Sequence, residues 1–509
     1  MLRLVRRALN VSAVAGAGFL VLCCVNQPTL AQGGVEVASK EAASEQVIIT
    51  HMPAEKSRLR KLLQKLLGRS KGSSLETTNS EVVSVPKAQT SRLRKRLEAL
   101  GAKVIKLREN FNHILRRRKD PVPMTPPQQA AVDNIRKAPE TVNLGMLQML
   151  EPELVELALK GQGLEQDRFA RVILPLSDGK DITLVRTQPT DKTEGGFTWR
   201  GEVEETGERA VLMLWKDAHL SGYFGYKGRV FTVNHVAGEF HTMAEIDPGK
   251  LPPDHTPETK AGERAKPSSL PAEPKVVPFP DAQREALEAK QITIDVMMLY
   301  TKKAASYYIR DPKDLIALAI EQANQTFRNS GLGNISLRLV HSQEIDYDEG
   351  DADQFEHLYR MVDGVGPFKD MKKLRNEKRA DIVGLVIHSP MGCGLSTRVG
   401  ADAEEAFFVV HHACAAIMYS IAHEIGHILG ARHDRAVDAN NVPAPFAHGY
   451  VNGSKWRDMM SYQEGCGGCP RIPYWSNPRI LYRGEPTGTP ASDNAREILE
   501  QAERVSKFR

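Results

Sequence analysis

The chain is poor in several things, and each absence narrows what it can be. The apolar run from Val11 to Val25 falls short of the about 20 residues that a membrane span needs. Cysteine is scarce, six in 509 residues, with none between Cys24 and Cys393. The first two-thirds of the chain therefore cannot be a disulfide scaffold and must hold itself together by ordinary packing. From Gln32 to about Thr90 there are few aromatics to bury, which suits a mobile polar segment. Acidic residues are nearly missing between Lys56 and Lys119, where nineteen Lys/Arg stand against four Glu. That segment carries +15, so a chain of net +5 leaves −10 for the rest. Any tendency to touch anionic surfaces belongs to this region, and no specific nucleic-acid motif accompanies it.

What is present describes a soluble, multi-domain protein. The 41% apolar and 26% charged fractions are those of globular chains, and the length allows two or three domains. Arg3, Arg6 and Arg7, the Val11–Val25 run and the small-residue site Thr29-Leu30-Ala31 read as an export leader over residues 1–31. Residues 32–142 read as a basic segment, partly disordered and partly helical. Its blocks Ser57–Lys61 and Ser91–Lys95 each open a leucine-spaced pattern, the second running through Leu97, Leu100, Ile105 and Leu107 to Ile114. Residues 143–250 open with helical spacing over Asn143 to Lys160. They continue as short β-branched and aromatic segments separated by Gly, Asp and Lys turns, which predicts a β-rich domain. Few chemistry-bearing residues are expected to meet there. Residues 251–289, rich in Pro, Lys, Glu and Ala, read as a linker and the expected place of activation cleavage. From 290 to 509, strands alternate with helices, an α/β domain.

Chemistry concentrates in His423-Glu424-Ile425-Gly426-His427-Ile428-Leu429-Gly430-Ala431-Arg432-His433-Asp434. Residues four apart share a helix face, so His423 and His427 can offer two imidazoles to one Zn²⁺. Glu424 can reach water beside the metal without binding it. Gly430 can take positive φ, end the helix and bring His433 back as a third ligand. Three imidazoles leave the open position of a catalytic zinc site.

This extended HExxHxxGxxH string resembles the metzincin superfamily of zinc endopeptidases, and Asp434 resembles its adamalysin (reprolysin) branch, in the bacterial secreted form. The resemblance extends to Asp458-Met459-Met460-Ser461-Tyr462, where Met460 fits the turn that floors the three histidines. It implies a zincin-type catalytic domain, one catalytic Zn²⁺ on His423, His427 and His433, and Glu424 as general base. It also implies protein or peptide substrates and a β-rich propeptide acting in cis. Asp434 would orient the third ligand or anchor the turn. Tyr462 would donate to the oxyanion, as in the astacin and serralysin branches; adamalysins usually lack this residue. The segment Arg471–Pro478 would wall the pocket for the residue after the scissile bond, and Asp493–Arg496 would open the C-terminal helix. With no cysteine in residues 143–250, a propeptide thiolate switch is excluded. Cys393, Cys414, Cys466 and Cys469 allow three pairings, of which the sequence selects none. Two rivals remain at this level: a zinc amidase or deacetylase, and a surface-binding protein without catalysis.

Overall fold

In this computed structural model, the residues described are 44–50, 73–75, 80–86, 90–99, 103–106, 113–150, 155, 171–193, 196–215, 219–254, 274–308, 312–442 and 444–509. The expected export leader, the first basic block and most of the expected linker lie outside them.

The basic region departs from the helical expectation. Strands β1 (Ser44–Thr50), β2 (Ser73–Leu75), β3 (Ser80–Pro86) and β4 (Lys103–Lys106) form an antiparallel sheet in the order β2-β3-β1-β4. Helix α1 (Thr90–Glu98) stops well before Ile114. Gly101 follows it closely, and β-branched Val104 and Ile105 pair with β1, Ile105 opposite Ile48. Leucine spacing alone could not see that partner.

The β-rich region begins earlier than residue 143. Strand β5 (Leu115–Arg117) and helix α2 (Pro126–Lys137) precede β6 (Thr141–Met149), and the helix expected from Asn143 is this strand. Its backbone is taken by β14 (Phe240–Ile246), with Met243 opposite Gly145, so long-range pairing overrides a helical pattern. The other strands are β7 (Arg171–Pro175), β8 (Asp181–Arg186), β9 (Asp191–Thr193), β10 (Gly196–Val203), β11 (Arg209–Trp215), β12 (Leu220–Tyr226) and β13 (Arg229–Ala237). They make one antiparallel sheet, β5-β6-β14-β13-β12-β11-β10-β8-β7, with β9 beside β10. Histidines do meet in it, contrary to expectation: the ring of His235 lies 5.0 Å from that of His219 and 5.2 Å from that of His241.

Period-two geometry gives this sheet two buried faces. Leu212 and Leu214 of β11 enter a core with Trp199 and Phe224. Val211, Met213 and Trp215, pointing the other way, join Ile316, Ile320 and Phe327 of the following domain. Arg200 adds a buried ion pair to Glu321, and His219 sits 2.7 Å from Asp314. Each fully buried Val, Leu or Met contributes about 1.5–3 kcal/mol.

After helix α3 (Asp281–Glu288), the C-terminal domain is the expected α/β layer structure. Strands β15 (Ile292–Thr301), β16 (Ile335–Ile345), β17 (Ile382–Ile387), β18 (Gly394–Ser396) and β19 (Phe407–His411) order as β16-β15-β17-β19-β18. The first four run parallel and β18 closes the edge antiparallel. Alternation splits β15: Val296, Met298 and Tyr300 face helices α4 (Lys313–Asn329), α7 (Ser420–Ile428) and α8 (Asn494–Val505). Met297 and Leu299 face α5 (Gln354–Asp363) and α6 (Met371–Lys378).

The sequence predicts a helix over Ala413 to Leu429, but α7 begins only at Ser420. Tyr419 holds a left-handed φ of 58°, and its hydroxyl accepts from Arg209 at 2.5 Å. Just upstream, Cys414 is bonded to Cys393, which ties the approach to the sheet edge. Cys466 and Cys469 pair locally.

Candidate active site

Helix α7 is buried along its whole length, and it carries His423 and His427 one turn apart. Gly430, at φ 94°, stops it, and the Ala431 N–H turns back to the Gly426 carbonyl at 2.9 Å. The returning strand is fastened at Arg432, whose N–H and C=O both bond the Asn494 side chain, at 3.1 and 3.0 Å. The result places His433 Nε2 3.2 Å from His423 Nε2 and 2.9 Å from His427 Nε2.

Those contacts are not ordinary hydrogen bonds. His423 Nδ1 lies 3.1 Å from the Met459 carbonyl and His427 Nδ1 2.9 Å from the Ala431 carbonyl. A carbonyl can only accept, so each Nδ1 carries the proton and each Nε2 keeps a bare lone pair. Burial holds the His423 imidazole well below its ordinary pKa and pushes that of His427 down to about 4. Neutral nitrogens converging on one point are the donor set that a borderline-soft cation such as zinc takes. The residues present fit the group.

The Glu424 side chain lies against the sheet edge. A Cβ on Gly394 of β18 would lie 2.5 Å from Glu424 Oε1, so only glycine lets the edge strand pass so close. Burial pushes the Glu424 carboxyl up to about 8, opposed by hydrogen bonds from the Ser396 hydroxyl and backbone and by the Arg471 charge.

Beneath the histidines, a Cβ on Gly426 would meet Trp475 at 2.5 Å and the Met460 sulfur at 3.1 Å. Met460 is thus the floor under the helix. Its turn is built by Asp458, whose buried carboxylate accepts from Met460 N–H (3.2 Å), Ser461 N–H (2.9 Å), Ser461 Oγ (2.5 Å) and Ser476 N–H (3.0 Å). Sequence reasoning passed over Asp458, although Asp-x-x-Ser is a recognisable side-chain-to-backbone turn. Asp434 fastens the same turn from outside, accepting from Tyr462 N–H and Ala436 N–H, both at 3.1 Å. Tyr462 is thereby held with its hydroxyl 2.7 Å from His433 Nε2 and its ring 4.1 Å from that of His433. His423, His427, Gly430, His433, Asp434, Met460 and Tyr462 meet here, and Glu424 stands on the same helix beside β18. Asp493 also caps α8 through Arg496 N–H at 3.0 Å.

His411 and His412 group elsewhere, with His388. His412 Nε2 is 2.9 Å from His388 Nδ1, and the outer nitrogens reach Tyr308 and Tyr307, each at 3.1 Å. That Tyr-His-His-Tyr run satisfies its own protons. His448 Nδ1 lies 3.0 Å from the His433 carbonyl, and its own carbonyl accepts from Ser476 Oγ at 2.6 Å.

Residues 290–476 match a family model described as metallo-peptidase family M12, of reprolysin type. A peptidyl-Asp metalloendopeptidase of Xanthomonas campestris is 31% identical over 354 residues, covering 65% of this chain and 80% of the relative. The protein of that name from Stenotrophomonas maltophilia is 30% identical, covering 65% and 81%. One from Pseudomonas aeruginosa is 27% identical, covering 45% and 42%. This chain belongs to the M12 metallopeptidases. It is a reprolysin-like metzincin and a zinc metalloendopeptidase, and its catalytic domain is of the zincin type. The amidase and the non-catalytic readings fall with that result.

Proposed function

We propose that this metalloendopeptidase cuts peptide chains beside aspartate and is made as an exported, latent precursor. The observation that carries the catalytic part is the convergence of the His423, His427 and His433 Nε2 atoms, with Glu424 on the same helix against the edge strand. His423, His427 and His433 would hold the zinc. When bound, zinc supplies Lewis-acid chemistry, acidifying water and polarising a carbonyl.

The chain's own groups do the rest. The Glu424 carboxylate takes the proton of the attacking water and delivers it to the leaving amine nitrogen. The Tyr462 hydroxyl donates to the oxyanion that develops on the scissile carbonyl. Strand β18, an edge, offers backbone groups to an extended substrate. Aspartate as the recognised side chain follows the names of the relatives, and export follows the leader at residues 1–31.

The test is Glu424→Ala in the full chain. Zinc content should stay at one per chain while hydrolysis of an aspartate-containing peptide falls by about 10²–10⁴-fold. A variant that keeps both metal and wild-type turnover removes Glu424 from the chemistry. N-terminal sequencing of the exported protein tests the leader and the cleavage.

A further inference from the structure

After β14 and the short turn Pro248–Lys250, residues 251–254 run to the segment before β18 and to Arg457 and Arg471. Leu251 is buried with the Cys393–Cys414 disulfide. The Pro253 carbonyl accepts from the Cys393 N–H at 2.8 Å, immediately before β18 and the glycine that abuts Glu424. One residue on, the Asp254 side chain is 3% exposed, and its Oδ2 lies 3.1 Å from Arg457 Nη2 and 3.2 Å from Arg471 Nη2.

Both arginines belong to the wall of the site. Arg457 precedes the Asp458 turn, and Arg471 donates to the Ser461 carbonyl at 3.3 Å, between Met460 and Tyr462. Their backbones are bridged, with Ile472 N–H on the Arg457 carbonyl at 2.8 Å. The Arg471 charge acts on Glu424 and on His423. Two buried guanidiniums facing each other are costly, and burial together with the Arg471 charge pushes Arg457 down to about 10. Asp254 is the carboxylate that touches both guanidiniums; Glu464 and Asp458 act on Arg457 through their charge alone. The Nε of each arginine is buried and has no hydrogen-bond partner. Each Nη1 donates to a backbone carbonyl, Arg457 to Cys469 and Arg471 to Met418, both at 2.8 Å, and both Nη2 atoms meet on the single Asp254 carboxylate.

We propose that Arg457 and Arg471 form the pocket that receives the aspartate side chain of a substrate, and that Asp254 fills this pocket in the uncleaved chain as its own competitor. The inference rests on the peptidase reading above and deepens it, naming the residues that select the side chain and the residue that keeps the precursor latent. Release needs no chemistry at Asp254, only departure of the segment that carries it.

The test uses the full chain carrying Glu424→Ala, which binds a substrate without consuming it. The probe is a fluorescein-labelled peptide with one central aspartate, read by anisotropy, beside the same peptide with alanine there. Adding Asp254→Asn should tighten binding of the aspartate peptide by about 10- to 100-fold, the worth of a charged hydrogen-bonded contact, and leave the alanine peptide unchanged. Asp254→Glu, which keeps a carboxylate, should gain far less, and Arg471→Ala added to Asp254→Asn should abolish the gain. Asp254→Ser makes the same comparison if the asparagine variant does not fold. Equal affinity with and without Asp254, or a gain shared by the alanine peptide, overturns the proposal. With Glu424 restored, Asp254→Asn should also hydrolyse the aspartate peptide faster than wild type. Tighter binding without hydrolysis by any variant would sink the peptidase reading and leave the pocket standing.

Discussion

Gly430→Ala tests the geometry on which the third histidine depends. Gly430 sits at φ 94°, where a Cβ costs about 1–2 kcal/mol. The added methyl would also lie 2.6 Å from Glu497 Oε1 and 2.9 Å from its Cγ. Glu497 is buried on α8 and has little room to yield, so overpacking adds about 1–3 kcal/mol. Alanine recovers roughly 0.4–1 kcal/mol by restricting the unfolded chain. The net loss expected is about 1–4.6 kcal/mol, or roughly 2–18 °C in Tm for a domain of this size. Gly453→Ala is the internal control: φ is 55°, but nothing lies within 4 Å of its Cβ. It should cost only the backbone part, about 1 kcal/mol. Thermal unfolding of both variants, at saturating zinc, gives the comparison. If the two lose the same Tm, the contact with Glu497 contributes nothing and the turn is not braced as described. Zinc content should fall in Gly430→Ala alone, because only that turn positions His433.

Tyr462→Phe should lower kcat by about 10²–10³-fold with a small change in KM, as loss of one oxyanion donor does; unchanged kcat would reduce Tyr462 to packing. Glu497 gives a pH test. Burial, with the Glu500 charge, pushes its carboxyl up to about 7, above the unfolded value near 4.3. A raised acid pKa favours the protonated folded state. The wild type should therefore lose stability as pH rises from about 4.3 to 7, by an amount on the order of 3–4 kcal/mol. Glu497→Gln should remove that slope and be the more stable protein at pH 8 in urea unfolding; a slope that persists would show that another group causes it.

The readable parts were those where cause and residue lie close in sequence. Helical spacing put His423 and His427 on one face, and glycine chemistry at 430 supplied the stop. Alternation in Ile292–Thr301 and the β-branched run Ile382–Ile387 gave the strands their places. Elsewhere local patterns lost to distant partners. Thr141–Met149 carries helical spacing yet pairs with β14, about a hundred residues on. Ile105 continues a leucine pattern yet pairs with Ile48. The start of α7 was misplaced because a disulfide and a left-handed Tyr419, bonded to Arg209 of the large sheet, set it from outside.

By itself, then, the sequence determined the chemistry: which three imidazoles, which carboxylate beside them, and which methionine turn underneath. Ligand spacing, helix periodicity and a glycine stop act over a dozen residues, so they can be read from the string. Tertiary structure alone decided what the site meets. It brought the Tyr462 hydroxyl to His433, and it carried Asp254 across two hundred residues of chain to Arg457 and Arg471. Buried charges find partners wherever packing places them, and no local pattern in the sequence records that placement.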